Sequence, residues 1–160
     1  MKFGALSTPF ACDWDGDGDW DVIAGNSAGY LAFIENLSGP GVAKPRWAEP
    51  KLLSAGGVTI RIQAGANGSI QGPCEAKWGY TVPTVADWDG DGHLDIVCNS
   101  IFGDVIWYRN PGCQGARDLE PARPVEVEWD GAQPALAWGW RKPQGKALLT
   151  QWRTSAVAID

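Results

Sequence analysis

At 160 residues, 44% of them hydrophobic and 20% charged, the chain is long enough to bury a core of its own. Its formal charge of −6 and the want of a basic stretch interleaved with aromatics argue against a nucleic-acid partner. No apolar run reaches membrane-spanning length, and the first nine residues lack the apolar core of a signal peptide.

The 21 glycines and 11 prolines, with no long stretch of helical periodicity, predict an all-β chain of short strands joined by turns. The first strand, 10–12, runs into Asp13-Trp14-Asp15-Gly16-Asp17-Gly18-Asp19-Trp20-Asp21. Like charges this close repel by about 1 kcal/mol per pair at ~4 Å even in water. A hard cation held by oxygen ligands offsets that repulsion. Aspartates at the first, third and fifth positions face inward from a tight turn, and glycine at the sixth allows the bend. The seventh residue offers its backbone carbonyl, and the ninth-position aspartate completes the cage. Such all-oxygen ligation suits Ca2+ better than Mg2+, which resists dehydration, or Zn2+, which prefers nitrogen and sulfur. An EF-hand is excluded, because its twelfth position needs a bidentate Glu and here holds Ala24, and because the flanks read as strands rather than helices.

Strands at 21–25 and 30–35 follow, separated by a turn that ends at Gly29, and a further strand at 50–53 closes the unit. A long connection then carries a short apolar alternation at 58–62 and a glycine-rich stretch. The pattern returns after 74 residues. Asp87-Trp88-Asp89-Gly90-Asp91-Gly92-His93-Leu94-Asp95 repeats D-x-D-x-D-G-x-x-D, with Cys98 at its twelfth position. Shifting the chain by 74 aligns Pro9 through Asn36 with Pro83 through Asn110 without a gap, and ten of 28 positions are identical, which marks a duplicated unit. Strands are predicted at 84–86, 95–99, 104–109 and 124–129. Their near-continuous apolar runs imply burial on both faces, except for 124–129, which alternates as an outer strand does. The segment 155–160 repeats the strand before each loop, and Asp160 stands where a third loop would begin. The units are therefore 1–81, with loop 13–21; 82–154, with loop 87–95; and 155–160, the start of a third.

Ten tryptophans are far more than this length requires. Packing between stacked sheets is their ordinary role, and the matched placement of Trp14 and Trp88 suggests it for both; Trp138 and Trp140, in a long loop, suit sugar stacking. Of the four cysteines, Cys12 and Cys98 have alanine at the equivalent place in the other unit, so neither belongs to a repeated staple. Cys74 and Cys113 lie in loops, and spacing alone leaves any pairing among the four open.

These two loops and their flanking strands, about 30 residues in each unit, resemble the FG-GAP/VCBS-type repeat of calcium-binding β-propellers. The resemblance implies two four-stranded antiparallel blades, a fragment of a larger propeller of about seven or eight. It implies two structural Ca2+ sites: Asp13, Asp15, Asp17, Asp21 and the Asp19 carbonyl; and Asp87, Asp89, Asp91, Asp95 and the His93 carbonyl. It also implies an extracellular or cell-surface setting. Two full units are fewer than the about four needed to close a ring, so the chain reads as part of a longer secreted protein. Alone it is expected to be calcium-dependent and to self-associate through exposed blade faces. The implied role is a binding scaffold for a glycan or protein ligand. One alternative is part of a propeller enzyme, a lyase or glycoside hydrolase, acting on acidic polysaccharide, for which Tyr80, Arg61 and Lys77 are better candidates than His93. The other is an integrin-like adhesion module.

Overall fold

Each unit folds into the same four strands because the same residues recur at the same spacing. The computed structural model describes residues 3–65, 74–132, 144–150 and 154–158. In the first unit β1 (Thr8–Cys12), β2 (Asp21–Gly25), β3 (Leu31–Ile34) and β4 (Lys51–Leu52) form an antiparallel sheet in that order. Two short strands follow, β5 (Ser54–Ala55) and β6 (Val58–Thr59). In the second unit come β7 (Val82–Ala86), β8 (Asp95–Asn99), β9 (Val105–Tyr108), β10 (Asp118–Leu119) and β11 (Arg123–Pro124). Here β7, β8, β9 and β11 make the second antiparallel four-stranded sheet. No α-helix occurs among the described residues; the one helical turn is 3-10, at Glu75–Lys77. The chain is all-β, built of sheets of the kind that form propeller blades.

The register repeats with the sequence. Cys12 pairs with Asp21 as Ala86 does with Asp95, and Ile23 pairs with Phe33 as Val97 does with Trp107. Pro9 and Pro83 sit in β1 and β7, each at the edge of its sheet, where a missing N–H costs no ladder bond. Between β2 and β3 the turn needs Gly29, whose φ is 87°; a Cβ there would lie 1.7 Å from the Ile62 carbonyl oxygen. Gly103 adopts the same φ in the second unit.

The two sheets pack against one another around a shared core. Ile23, Leu31 and Phe33 of the first meet Val85, Ile96, Cys98 and Tyr108 of the second, and Trp14, Leu53, Ile60 and Leu119 complete the cluster. Strands β3 and β8 are buried along their whole length, as their unbroken apolar runs predict. On the far side of the second sheet, Val97, Val105 and Val125 form another cluster that Leu148 and Ala156 cover in part.

Three features differ in detail from the sequence expectation. The outer strand of the second unit is only Arg123–Pro124, although its alternation persists: Val125 is buried between exposed Pro124 and Glu126. The apolar alternation at 58–62 supplies a strand, β6, only at Val58–Thr59. It joins a separate three-stranded sheet in the order β10-β5-β6, where β10 pairs with β5 in parallel. Asp118 secures this junction, accepting hydrogen bonds from the Ser54 hydroxyl at 2.7 Å and the Gly57 N–H at 2.9 Å, which hold its carboxyl below the usual range. Residues 154–158, which repeat the strand sequence, carry no strand pairing. They run along the second sheet, the Ala156 N–H donating to the Asn99 side chain and the Ala158 N–H to the Thr84 hydroxyl at 3.2 Å. In the first unit the residue equivalent to Asn99 is Gly25, and Thr81 passes so close that a Cβ there would stand 2.2 Å from its carbonyl oxygen. The segment 154–158 thus lies beside the second sheet as the approach to β7 lies beside the first.

All four cysteines are free. Burial pushes the Cys12 and Cys98 thiols up to about 12, because a thiolate is poorly solvated in an apolar interior. Cys74 and Cys113 are exposed. A thiol-specific colour reagent at neutral pH should therefore titrate two thiols in the native protein and four in denaturant. Four reactive thiols in the native state would contradict this core.

Candidate metal centres

Both loops leave an edge strand and return to the next strand through the same scaffold. The ninth-position aspartate opens the second strand and is anchored by its unit's own backbone. Asp21 accepts from the Asn36 N–H at 2.9 Å and from the Trp14 N–H at 3.2 Å, and Asp95 accepts from the Asn110 N–H at 2.7 Å. The two asparagines also donate their side-chain amides to the Trp20 and Leu94 carbonyls, respectively. Asn36 and Asn110 thus clasp each loop where it enters β2 or β8. The sequence marked them only as identical positions; an asparagine repeated 15 residues after the last aspartate of each loop was the available signal.

The first-position aspartates shape the turn. Asp13 accepts from the N–H groups of Gly16 (2.8 Å) and Gly18 (3.1 Å), and Asp87 accepts from those of Asp91 (3.0 Å) and Gly92 (2.9 Å). Asp17 and Asp91 each accept from the N–H two residues on.

The carboxylates gather into two groups. Oxygens of Asp13, Asp15 and Asp21 lie within 4.8 Å of one another in the first loop, and those of Asp87, Asp89 and Asp91 do so in the second. Asp17 and Asp95 stand outside these groups. Asp95 is fully buried at the foot of β8. Asp19 is buried too, with one oxygen accepting from the Gly39 N–H at 3.0 Å. His93 is half-buried, with its ring beside Gly112.

The donor chemistry fits a hard cation. Asp15 Oδ1 and Asp19 Oδ1 in the first loop are buried atoms without a hydrogen-bond partner, an arrangement that costs free energy unless something positive satisfies it. Asp95 in the second loop, by contrast, has the Trp107 indole beside it. In the first loop the electrostatics agree. Burial, then the neighbouring carboxylates Asp17, Glu35 and Asp13, raise the Asp15 carboxyl. Burial, opposed in part by the Asn36 N–H, brings Asp21 up to about 6. Among the described residues no Lys or Arg pairs with an acid of this loop.

The second loop is different. Arg109 donates from Nε to Asp89 at 2.5 Å and from a terminal nitrogen to Asp91, and its other terminal nitrogen meets Glu120 at 3.1 Å. These hydrogen bonds hold the Asp89 carboxyl below its ordinary range. Surroundings differ as well. The segment after Asn110 folds over the first loop, with the Gly115 N–H donating to the Trp14 carbonyl and Ala116 accepting from the Trp14 indole at 3.0 Å. Trp14 is consequently 2% exposed, whereas Trp88, its repeat equivalent, is 43% exposed.

Arg61, Lys77 and Tyr80 come from backbone segments that meet at the turn before β3, and Arg61 and Tyr80 have packing roles there. Arg61 lies over the Tyr30 ring, 4.9 Å from its centroid, and Tyr80 packs against Ala64, Ile101 and Phe102. Lys77 ends the 3-10 turn, its carbonyl accepting from Gln63. Trp138 and Trp140 lie outside the described residues.

Comparison with known proteins finds a family model described as an FG-GAP-like repeat, matching residues 13–98, more than half the chain. No curated protein and no solved structure matches it.

Proposed function

The chain belongs to the FG-GAP-like repeat family, and on that premise we propose that it is a calcium-stabilised, β-propeller-type binding scaffold that works outside the cell or at its surface. The units are 1–81 and 82–154, with a third beginning at 155–160, and the ligand is a glycan or a protein. The observation that carries this reading is the first loop: three carboxylates gathered at the seam where the second unit covers the first, two of which, Asp15 and Asp21, are raised by burial and by neighbouring carboxylates. Calcium bound there supplies charge neutralisation. The chain's own residues do the rest: Asp13, Asp15, Asp17 and Asp21 with the Asp19 carbonyl form one ligand set, and Asp87, Asp89, Asp91 and Asp95 with the His93 carbonyl form the other. Asn36 and Asn110 orient the ninth-position aspartates.

Exposed aromatics favour a binding role. Trp20, Trp78, Trp88 and Trp129 are between 40% and 68% exposed, and a flat ring with an apolar face and a polar edge suits both sugars and protein partners. The same exposed rings favour self-association of the chain. Among the described residues no helix is long and apolar enough to cross a membrane.

Isothermal titration of the chelator-stripped chain with CaCl2 tests the calcium reading. Two sites are expected, with Asp15→Asn and Asp89→Ala each removing one. A stoichiometry indifferent to both substitutions would sink it. Binding and turnover measured on a panel of acidic glycans, with calcium present, separate scaffold from enzyme: cleavage of any glycan would overturn the scaffold reading.

A further inference from the structure

The 74-residue shift that superposes the two loops also pairs residues of opposite charge. Glu35 and Arg109 occupy equivalent places, each at the end of its unit's third strand and immediately before the clasping asparagine. What they do is opposite as well. Glu35 turns to Lys51, at 2.8 Å, and adds its negative field to Asp15. Arg109 reaches into the second loop and spans Asp89 and Asp91, two of the three carboxylates gathered there.

Arg109 is held in that pose from behind. Glu120 takes its remaining terminal nitrogen, and the Glu120 N–H donates to the Arg109 carbonyl at 2.8 Å. The other oxygen of Glu120 pairs with Arg123, which lies over the Trp107 ring. A planar guanidinium fixed by this network matches carboxylate geometry well and never loses its charge near neutral pH.

We propose that Arg109 is a built-in counter-cation of the second loop, which makes the two loops unequal: a tight calcium site at 13–21 and a weaker one at 87–95, filled only when the ion displaces the guanidinium from Asp89 and Asp91. The inference rests on the reading that both loops bind calcium. Among the described residues the first loop has no competing Lys or Arg, and it has an added carboxylate nearby. The second must give up two charge-assisted hydrogen bonds before its oxygens can turn to an ion, while Arg109 keeps Glu120 as partner. Calcium binding by this chain is therefore stepwise, and the second step follows the surrounding calcium concentration.

Calorimetric titration of the full chelator-stripped chain with CaCl2, at one fixed ionic strength, tests this. Wild type should show two phases whose Kd values differ by about tenfold or more, the effect of one unit charge beside a divalent ion in a half-exposed site. Asp15→Asn should delete the tighter phase. Arg109→Gln in that background should tighten the remaining phase by about tenfold. Glu35→Arg, on the other loop, should weaken the tight phase and so bring the two together. Two phases of equal affinity, deletion of the weaker phase by Asp15→Asn, or a second loop unmoved or weakened by Arg109→Gln would each overturn the proposal while leaving calcium binding intact. Absence of calcium heat in every variant would overturn both.

Discussion

Replacing Trp14 with alanine should destabilise the chain by about 3–5 kcal/mol, the range for removing a large buried aromatic, while Trp88→Ala should cost about 1 kcal/mol or less. The two residues stand at the same place in identical six-residue stretches of the two loops, so local sequence predicts equal effects. Their surroundings predict otherwise. Trp14 fills the core between the sheets, touching the cluster built from Ile23, Phe33 and Leu119, and its indole N–H satisfies the Ala116 carbonyl. Truncation leaves a cavity and a buried carbonyl without its donor, and both terms act in the same direction. Trp88 keeps 43% of its surface in water and has less to lose. In a domain of this size 1 kcal/mol moves the midpoint by about 2–4 °C. Thermal melts followed by circular dichroism should thus show Trp14→Ala lower by about 10 °C or more and Trp88→Ala close to wild type. Equal shifts would mean that the second unit does not cover the first loop in solution.

Saturating calcium should raise the melting midpoint by about 5–10 °C over the chelated protein, since a ligand at 100 times its Kd contributes about 2.7 kcal/mol. Asp15→Asn should affect the two conditions in opposite directions. In chelator it removes one charge from a crowded, partly buried group and leaves the turn's hydrogen bonds in place, so the midpoint should hold or rise slightly. In calcium it removes a ligand of the first loop, and most of the calcium-induced rise should vanish. The pH dependence follows from Asp21. Its carboxyl is near 6 when folded and near 3.8 when free, so in chelator the folded form holds the extra proton between those values. Stability from that group is present below about pH 4 and is lost as pH rises through about 6. Calcium requires the same carboxylate deprotonated, so the gap between calcium and chelator melts should widen from pH 5 to pH 7. A gap that ignores both pH and Asp15→Asn would remove the metal from the first loop.

Much of this molecule was legible before any coordinates, because its rules are local. Alternating aspartates with glycine at the sixth position define a tight turn whatever surrounds it. Short apolar runs between glycine and proline define strands, and a gapless 74-residue repeat carries the register from one unit to the other. Strands β2 and β8 occupy the predicted spans without change, and Pro9 and Pro83 lie at sheet edges, where their missing N–H groups are harmless. Where the local signal was thin, the expectation drifted: β11 is two residues long instead of six, and beyond Val125, which still donates to the Val105 carbonyl, the chain turns to pair with 146–148 on its other side.

What the tertiary structure alone decided is every difference between the repeats. The parallel pairing of β5 with β10 joins residues more than sixty positions apart, which no periodicity foretells. Trp14 is sealed by the segment after Asn110, whereas Trp88 remains in contact with solvent. Glu35 and Arg109 are merely unlike residues in an alignment; in space one turns outward to a lysine and the other supplies the cation of its own loop. The physical reason is common to all three. Turn geometry and strand pairing depend on residues a few positions away and so repeat with the sequence. Burial and electrostatic field depend on what the rest of the chain brings alongside, and that differs between the two units.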